Sequence, residues 1–330
     1  MTAKKEWIEK GFADEPLPEG IDLKAEIRRM CREKDAVLLA HYYTVADVQD
    51  VADFIGDSLA LARKAANTEA KMIVMCGVHF MAETCKLLSP GKKVLCPDLT
   101  AGCSLADSCR AEDLKRYKDE HPGYKVVSYV NTTAAVKALT DIVVTSGNAE
   151  KVVSSMPKDE KIIFGPDYNL GSYINSVTGR QMLLWRGGCH VHERFSVPEI
   201  LRLKKLHPGA EVLAHPECKG PVLAVADVVG STAVLLKHAT ESPKNEFIVA
   251  TESGILYEMQ KQCPSKTFYP VPPEVSEGSL GCSCNECEYM KKNTLAKIYN
   301  ALRYEWPEVT VPEDIAKEAV KPIERMLQLS

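Results

Sequence analysis

Three segments of the chain repeat one pattern of short apolar runs separated by polar stretches. Each copy opens with an apolar run that ends at a polar residue, and a serine follows 16 or 17 residues later. A second apolar run ends nineteen residues after that serine, and a third run follows it. The runs are continuous rather than alternating, which is typical of parallel strands buried on both faces. The polar residues and serines that mark the copies are His41 and Ser58, Tyr129 and Ser146, and His215 and Ser231.

The repeat predicts an α/β fold. Each copy reads as strand, helix, short strand, helix, strand, helix and strand, which makes one small αβα sandwich with a short parallel sheet. We expect a first unit at 22–108, a second at 109–192 and a third at 193–293. The segment 294–330 reads as amphipathic helices, bent near Pro322, that cover the first unit. We further expect the units to meet in a pseudo-threefold arrangement, with the active site at the central junction.

Composition limits the function classes. The net charge of −4 gives no general attraction to nucleic acids or acidic membranes, and no basic stretch carries interleaved aromatic residues. The sequence has neither a run of the ~18–20 apolar residues that a membrane span needs nor the apolar core of a signal peptide. We therefore expect a cytoplasmic protein. The cytoplasm is reducing, which argues against a disulfide framework among the twelve cysteines.

Polar residues fall where the first strand of each copy ends. They form the stretches 41–43, 129–131 and 215–217. Ligands of parallel α/β sheets bind beyond the carboxyl ends of the strands, so we expect these stretches to face one pocket. The repeat serines, together with Thr232, stand where helices should begin. They could be N-caps only, or they could help to hold anions at helix N-termini.

A cysteine follows the third apolar run of each copy. The first two are Cys103 and Cys189, and the third copy offers Cys282, Cys284 and Cys287. Three thiolates from three units would leave one coordination position open on zinc or on an iron–sulfur cluster, and spacing does not choose between these metals. Alternatively, the third group could be half of a zinc site or a redox pair.

Ten motifs in order between about Asp35 and Leu295 resemble those of the quinolinate synthase family. They include His41-Tyr-Tyr43, Ala101-Gly-Cys103-Ser-Leu, Gly165-Pro-Asp-Tyr-Asn, Gly188-Cys189-His-Val-His192-Glu and His215-Pro-Glu217-Cys. The resemblance implies an enzyme of NAD biosynthesis that condenses iminoaspartate with dihydroxyacetone phosphate to quinolinate, with loss of phosphate and water. It also implies three αβα domains and one [4Fe–4S] cluster per chain, whose open iron acts as a Lewis acid.

The resemblance assigns roles residue by residue. It implies Cys103, Cys189 and Cys287 as cluster ligands, the last because it precedes the Glu-Tyr-Met-Lys stretch. Glu217, His215, Tyr43 and His192 are the implied catalytic residues. The implied substrate-binding residues are His41, Ser58, Tyr129, Val130, Asn131, Ser146, His215, Pro216, Glu217, Ser231 and Thr232.

Two other functions are compatible with the cysteines. One is a cluster-dependent hydro-lyase that acts on a different hydroxy acid. The other is a non-catalytic iron–sulfur or zinc redox sensor built on Cys282, Cys284 and Cys287. The expected partners are the two small-molecule substrates and, as a candidate, the enzyme that supplies iminoaspartate.

Overall fold

Three four-stranded sheets, all parallel, form the framework of the protein in the computed structural model, which describes residues 3–273 and 285–330. The first sheet consists of β1 (Ala36–His41), β2 (Phe54–Gly56), β3 (Met72–Cys76) and β4 (Lys93–Leu95). The second consists of β5 (Lys125–Tyr129), β6 (Ile142–Val144), β7 (Ile162–Phe164) and β8 (Leu183–Leu184). The third consists of β9 (Glu211–Ala214), β10 (Val228–Val229), β11 (Glu246–Ala250) and β12 (Thr267–Pro270).

Helices separate the strands within each unit and also lead from one unit to the next. Those up to the end of the first sheet are α1 (Lys5–Lys10), α2 (Leu23–Glu33), α3 (Ala46–Val51), α4 (Ser58–Asn67) and α5 (His79–Leu88). The second sheet follows α6 (Ser104–Ser108) and α7 (Ala111–Glu120), and its strands are separated by α8 (Ala134–Lys137), α9 (Ala149–Ser155) and α10 (Tyr168–Thr178). A 3₁₀ turn, His192–Arg194, precedes α11 (Val197–Leu206), α12 (Gly220–Leu223), α13 (Thr232–Glu241) and α14 (Ile255–Gln262). The chain ends in α15 (Glu288–Lys291), α16 (Leu295–Tyr304) and α17 (Glu313–Leu329).

The three sheets share one topology. Their strand orders are β2-β1-β3-β4, β6-β5-β7-β8 and β10-β9-β11-β12, so the first strand of each unit always lies second from one edge. The predicted architecture of three αβα units with short parallel sheets is confirmed. Because all strands of a sheet run the same way, their carboxyl ends form one edge per unit, where a binding site belongs.

Apolar side chains on both faces stabilise the short strands. All five residues of β3 are buried, as are all residues of β6 and β7. Each fully buried Val, Ile or Leu contributes ~1.5–3 kcal/mol relative to an exposed one. Ser128 is a polar exception inside β5, and its buried hydroxyl bonds to Thr140 Oγ1 at 2.7 Å.

The C-terminal helices connect different parts of the protein. Helix α16 packs against α2 and β3 of the first unit. Helix α17 packs against α8 and β6 of the second unit as well as α5 of the first, and it continues through the buried Pro322 as one element. The sequence predicted that both helices cover the first unit, whereas α17 spans two units. Within the described residues, no helix combines the length and apolar character that crossing a membrane requires.

Candidate functional site

A central cavity of about 70 Å³ lies where the three units meet. Thirteen of the predicted site residues line it: His41, Tyr43, Ser58, Cys103, Tyr129, Asn131, Ser146, Cys189, His192, His215, Glu217, Thr232 and Cys287. The predicted residues Val130, Pro216 and Ser231 are not among the side chains of its wall. The repeat therefore brings strand ends and cysteines from distant parts of the chain to one place.

His41 and His215 occupy equivalent strand ends and have the same local geometry. His41 Nδ1 accepts the backbone N–H of Tyr43 at 3.1 Å, and His215 Nδ1 accepts that of Glu217 at 3.3 Å. An accepting Nδ1 carries no proton, so the neutral rings hold their proton on Nε2. Burial lowers the pKa of both rings to about 3, although the Glu217 charge opposes the effect. His215 can therefore donate from Nε2 to Ser146 Oγ, 3.2 Å away.

Glu217 is the buried carboxylate at the centre of the cavity wall. Tyr129 donates its hydroxyl to Glu217 Oε1 at 2.5 Å, and His192 Nδ1 lies 2.9 Å from Oε2. Burial alone would raise the pKa of Glu217, but the neighbouring His192 ring and the hydrogen bond that Tyr129 donates outweigh it and hold that pKa below its usual range. Glu217 is therefore ionised at neutral pH and can accept a proton.

Tyr43 reaches from the first unit into the third. Its hydroxyl bonds to Thr232 Oγ1 at 2.8 Å and to Thr251 Oγ1 at 2.9 Å. Burial raises the pKa of Tyr43 well above its ordinary value, so the hydroxyl keeps its proton. Thr251 Oγ1 also lies 3.0 Å from His192 Nε2. A continuous line of polar groups thus joins Tyr43 through Thr251 and His192 to Glu217.

The three cysteines follow the fourth strand of each unit, β4, β8 and β12, and line the cavity. Cys103 and Cys287 occupy the N-cap positions of α6 and α15, where nearby backbone N–H groups favour the thiolate. Burial dominates nevertheless and raises the pKa of Cys103 to about 12 and that of Cys287 to about 11. Burial likewise raises the pKa of Cys189. Cys282 and Cys284 lie outside the described residues.

The donor set fits an iron–sulfur cluster. Three partly buried thiols line one cavity, and the described part of its wall contains no lysine or arginine. Such thiols become thiolates when a metal displaces their protons, and soft thiolates select zinc or iron–sulfur centres. A second donor group overlaps this set, because ligand atoms of Cys189, His192 and Glu217 lie within 4.8 Å of one another. Sulfur, nitrogen and oxygen together are typical of zinc ligation.

The repeat serines differ in their structural roles. Ser58 is the first residue of α4, whose N-cap is Asp57, and Ser146 lies two residues before Asn148, the N-cap of α9. Ser231 is an N-cap, because its hydroxyl accepts the backbone N–H of Val234 at 3.4 Å. The N-cap interpretation therefore describes Ser231, whereas Ser58 and Ser146 line the cavity.

Several residues of the site were missed by sequence reasoning. The cavity wall also includes Asp57, His190, Glu252 and Tyr289. Thr251 is not part of the wall, but its hydroxyl contacts His192, which is. His190 Nδ1 lies 3.0 Å from the hydroxyl of Ser104, and its ring meets the edge of Tyr289 with centroids 5.7 Å apart. These contacts connect the residues that neighbour the three cysteines. The repeat could have pointed to Glu252. It lies 21 residues after Ser231, and the buried Asp167 lies 21 residues after Ser146.

Comparison with known proteins identifies the family of the chain. The family model described as Quinolinate synthetase A protein matches residues 25–328. The chain belongs to this family. The resemblance seen in the sequence is therefore confirmed.

Relatives named quinolinate synthase match nearly the whole chain. One from Chloroherpeton thalassium is 53% identical over 310 residues, which cover 94% of this chain and 95% of the relative. One from Nostoc sp. is 53% identical over 94% of each chain, and one from Synechococcus sp. is 52% identical over 96% of this chain and 98% of its own length. Membership of the quinolinate synthetase A family thus rests on full-length similarity and includes all three sheets.

Proposed function

We propose that this chain condenses iminoaspartate with dihydroxyacetone phosphate to quinolinate, with loss of phosphate and water, as a step of NAD biosynthesis. The chain belongs to the quinolinate synthetase A family. The observation that carries the proposal is its central cavity, which is lined by three cysteines, a carboxylate, neutral imidazoles and tyrosine hydroxyls. Proton transfers and dehydration need such acid and base groups at hydrogen-bonding distance from one another.

The proposed cofactor is a [4Fe–4S] cluster held by Cys103, Cys189 and Cys287. When bound, it would supply one iron without a cysteine ligand as a Lewis acid for a substrate oxygen or nitrogen. Cys287 is the ligand chosen from the third unit because it lines the cavity with the other two.

The remaining chemistry falls to the side chains of the wall. Ionised Glu217 is the proposed base. Tyr129 donates a hydrogen bond to one of its oxygens, and His192 Nδ1 lies 2.9 Å from the other. His215 presents an N–H to the cavity, and Tyr43 presents a protonated hydroxyl, so both can donate to a carbonyl or a leaving hydroxyl.

Substrate carboxylates are proposed to bind through neutral donors. Ser58, Ser146 and Thr232 offer hydroxyls, and Asn131 offers the N–H groups of its amide. Enclosure between three units also keeps water from iminoaspartate, which hydrolyses easily.

Metal content and product formation test the proposal together. Protein purified without oxygen should contain about four iron and four sulfide per chain and should form quinolinate from the two substrates. Zinc without sulfide would favour the Cys189, His192 and Glu217 group and refute the cluster. A cluster without quinolinate would instead favour a hydro-lyase of another specificity.

A further inference from the structure

Two buried carboxylates stand at equivalent repeat positions and bind cysteine loops. Asp167 follows Ser146 by 21 residues, and Glu252 follows Ser231 by the same distance. Asp167 Oδ2 accepts the backbone N–H of Cys189 at 3.1 Å, and Glu252 Oε1 accepts that of Cys287 at 2.9 Å. The same position in two units thus holds the main chain of a cavity cysteine.

The first unit makes a related contact by other means. His79 follows Ser58 by 21 residues, and its backbone N–H donates to Ala101 O at 2.7 Å, two residues before Cys103. The position after the third strand of each unit (β3, β7 and β11) therefore contacts the cysteine loop in all three units. Only the second and third units use a carboxylate for this purpose.

Glu252 is held more tightly than a surface acid would be. Its side chain is 1% exposed, and Lys291 Nζ lies 2.9 Å from the same Oε1 that accepts the Cys287 N–H. Its other oxygen accepts the backbone N–H of Gly254 at 2.7 Å. A buried charge needs such partners, and together they leave the carboxylate one orientation.

Lys291 ties the same assembly to the first unit. Its ammonium group donates to Tyr43 O at 2.8 Å, and Ser253 donates its backbone N–H to Asn285 O at 3.0 Å. The segment around Cys287 is thus bound to the loop after β11 and to the strand end that carries Tyr43. A shift of the carboxylate would move the cysteine backbone with it.

We propose that Glu252, paired with Lys291, is the positioning residue of Cys287 and fixes the direction of its sulfur toward the cavity. The inference rests on the proposed cluster, and it goes further by naming what holds the third ligand in place. Outer groups that orient a ligand typically change metal affinity 10–100-fold when they are removed.

The experiment compares Glu252→Ala, Glu252→Gln and Lys291→Met with the wild type, all purified without oxygen. A glutamine oxygen can still accept the Cys287 N–H but loses the charge that attracts Lys291. We measure iron and sulfide per chain, the rate of iron loss to a chelator, and the electron paramagnetic resonance spectrum of the reduced cluster. Iron loss should accelerate ~10-fold or more in Glu252→Ala and less in Glu252→Gln, with a changed spectrum in both.

Lys297→Met is the matched control. Lys297 pairs with Asp98 at 2.5 Å, and the side chains of this pair are 21% and 1% exposed, close to the 18% and 1% of Lys291 and Glu252. Lys297 contacts no cysteine among its hydrogen-bond partners in the described residues. This variant should lower the unfolding temperature but keep the wild-type spectrum and rate of iron loss.

Each outcome decides between the proposals. A wild-type spectrum and rate of iron loss in both Glu252 variants would overturn the positioning role while leaving the cluster in place. Equal acceleration in Lys297→Met and Glu252→Ala would show that lost stability, not ligand orientation, is the cause, and would also overturn it. If Glu252→Ala fails to fold, the spectrum of Glu252→Gln decides. Wild-type protein without iron and sulfide would refute the proposed cofactor itself.

Discussion

Lys137→Met should change how the stability of this protein depends on pH. Lys137 is fully buried behind the turn 130–132. Its ammonium group donates to Val130 O at 2.9 Å and to Thr132 O, and it lies 5.4 Å from the centre of the Phe80 ring. Burial lowers the pKa of Lys137 from 10.5 to about 8.

The size of the effect follows from that shift. Between about pH 8 and pH 10.5 the unfolded chain keeps a proton on Lys137 that the folded chain has released, so stability rises with pH across this window. At ~1.4 kcal/mol per pKa unit, the wild type gains about 2–3 kcal/mol from pH 7 to pH 10 through this group. The methionine variant lacks this gain, and it leaves two carbonyls without their donor at ~1–3 kcal/mol each.

Urea unfolding followed by circular dichroism at pH 7 and pH 10 measures the difference. The free energy of unfolding of the wild type should exceed that of Lys137→Met at both pH values. This excess should be about 2–3 kcal/mol larger at pH 10 than at pH 7. Lys118→Met is the control, because Lys118 also donates to a carbonyl, Leu139 O at 3.0 Å, but is only half-buried. Its lower stability at pH 7 measures what the loss of one lysine–carbonyl hydrogen bond costs where the ammonium group is not fully buried. A deficit of Lys137→Met that does not change with pH would refute the reasoning.

Three further predictions concern the cavity. Cys103→Ala, Cys189→Ala and Cys287→Ala should each lose iron and sulfide, whereas Cys284→Ala should keep them; the opposite result at 284 and 287 would reassign the third ligand. Glu217→Gln should keep the cluster while kcat falls ~10²–10⁴-fold, and wild-type turnover would remove Glu217 from the proposed chemistry. Removal of iron by a chelator should abolish quinolinate formation, and reconstitution with iron and sulfide should restore it.

The fold was predictable because its signal is local and occurs three times. Continuous apolar runs identify buried parallel strands, and the serine that recurs 16 or 17 residues after each first strand marks the three units. The packing of the C-terminal helices was harder to predict. The placement of α17 on the second unit depends on contacts between residues far apart in sequence, and an amphipathic pattern does not indicate which surface a helix covers.

The cavity was predictable only in part, for the same physical reason. Strand ends and cysteines carried a repeat signal, and most of them line the cavity. Thr251 and Glu252 act through partners more than thirty residues away, such as His192 and Cys287. A threonine and a glutamate after a strand are ordinary in a sequence, and only the folded chain shows which groups they meet.

The bonds across the cavity indicate why a threefold repeat can build one asymmetric site. Equivalent strand-end positions carry Tyr43, Asn131 and Glu217, so each unit presents a different polar group. The hydroxyl of Tyr43 bonds to Thr232 in the third unit, and that of Tyr129, from the second unit, bonds to Glu217. Hydrogen bonds of 2.5–2.8 Å do not survive separations much beyond ~3.5 Å. A shift of one unit by about 1 Å would therefore break the polar network, which makes the packing of all three units a condition for the proposed chemistry.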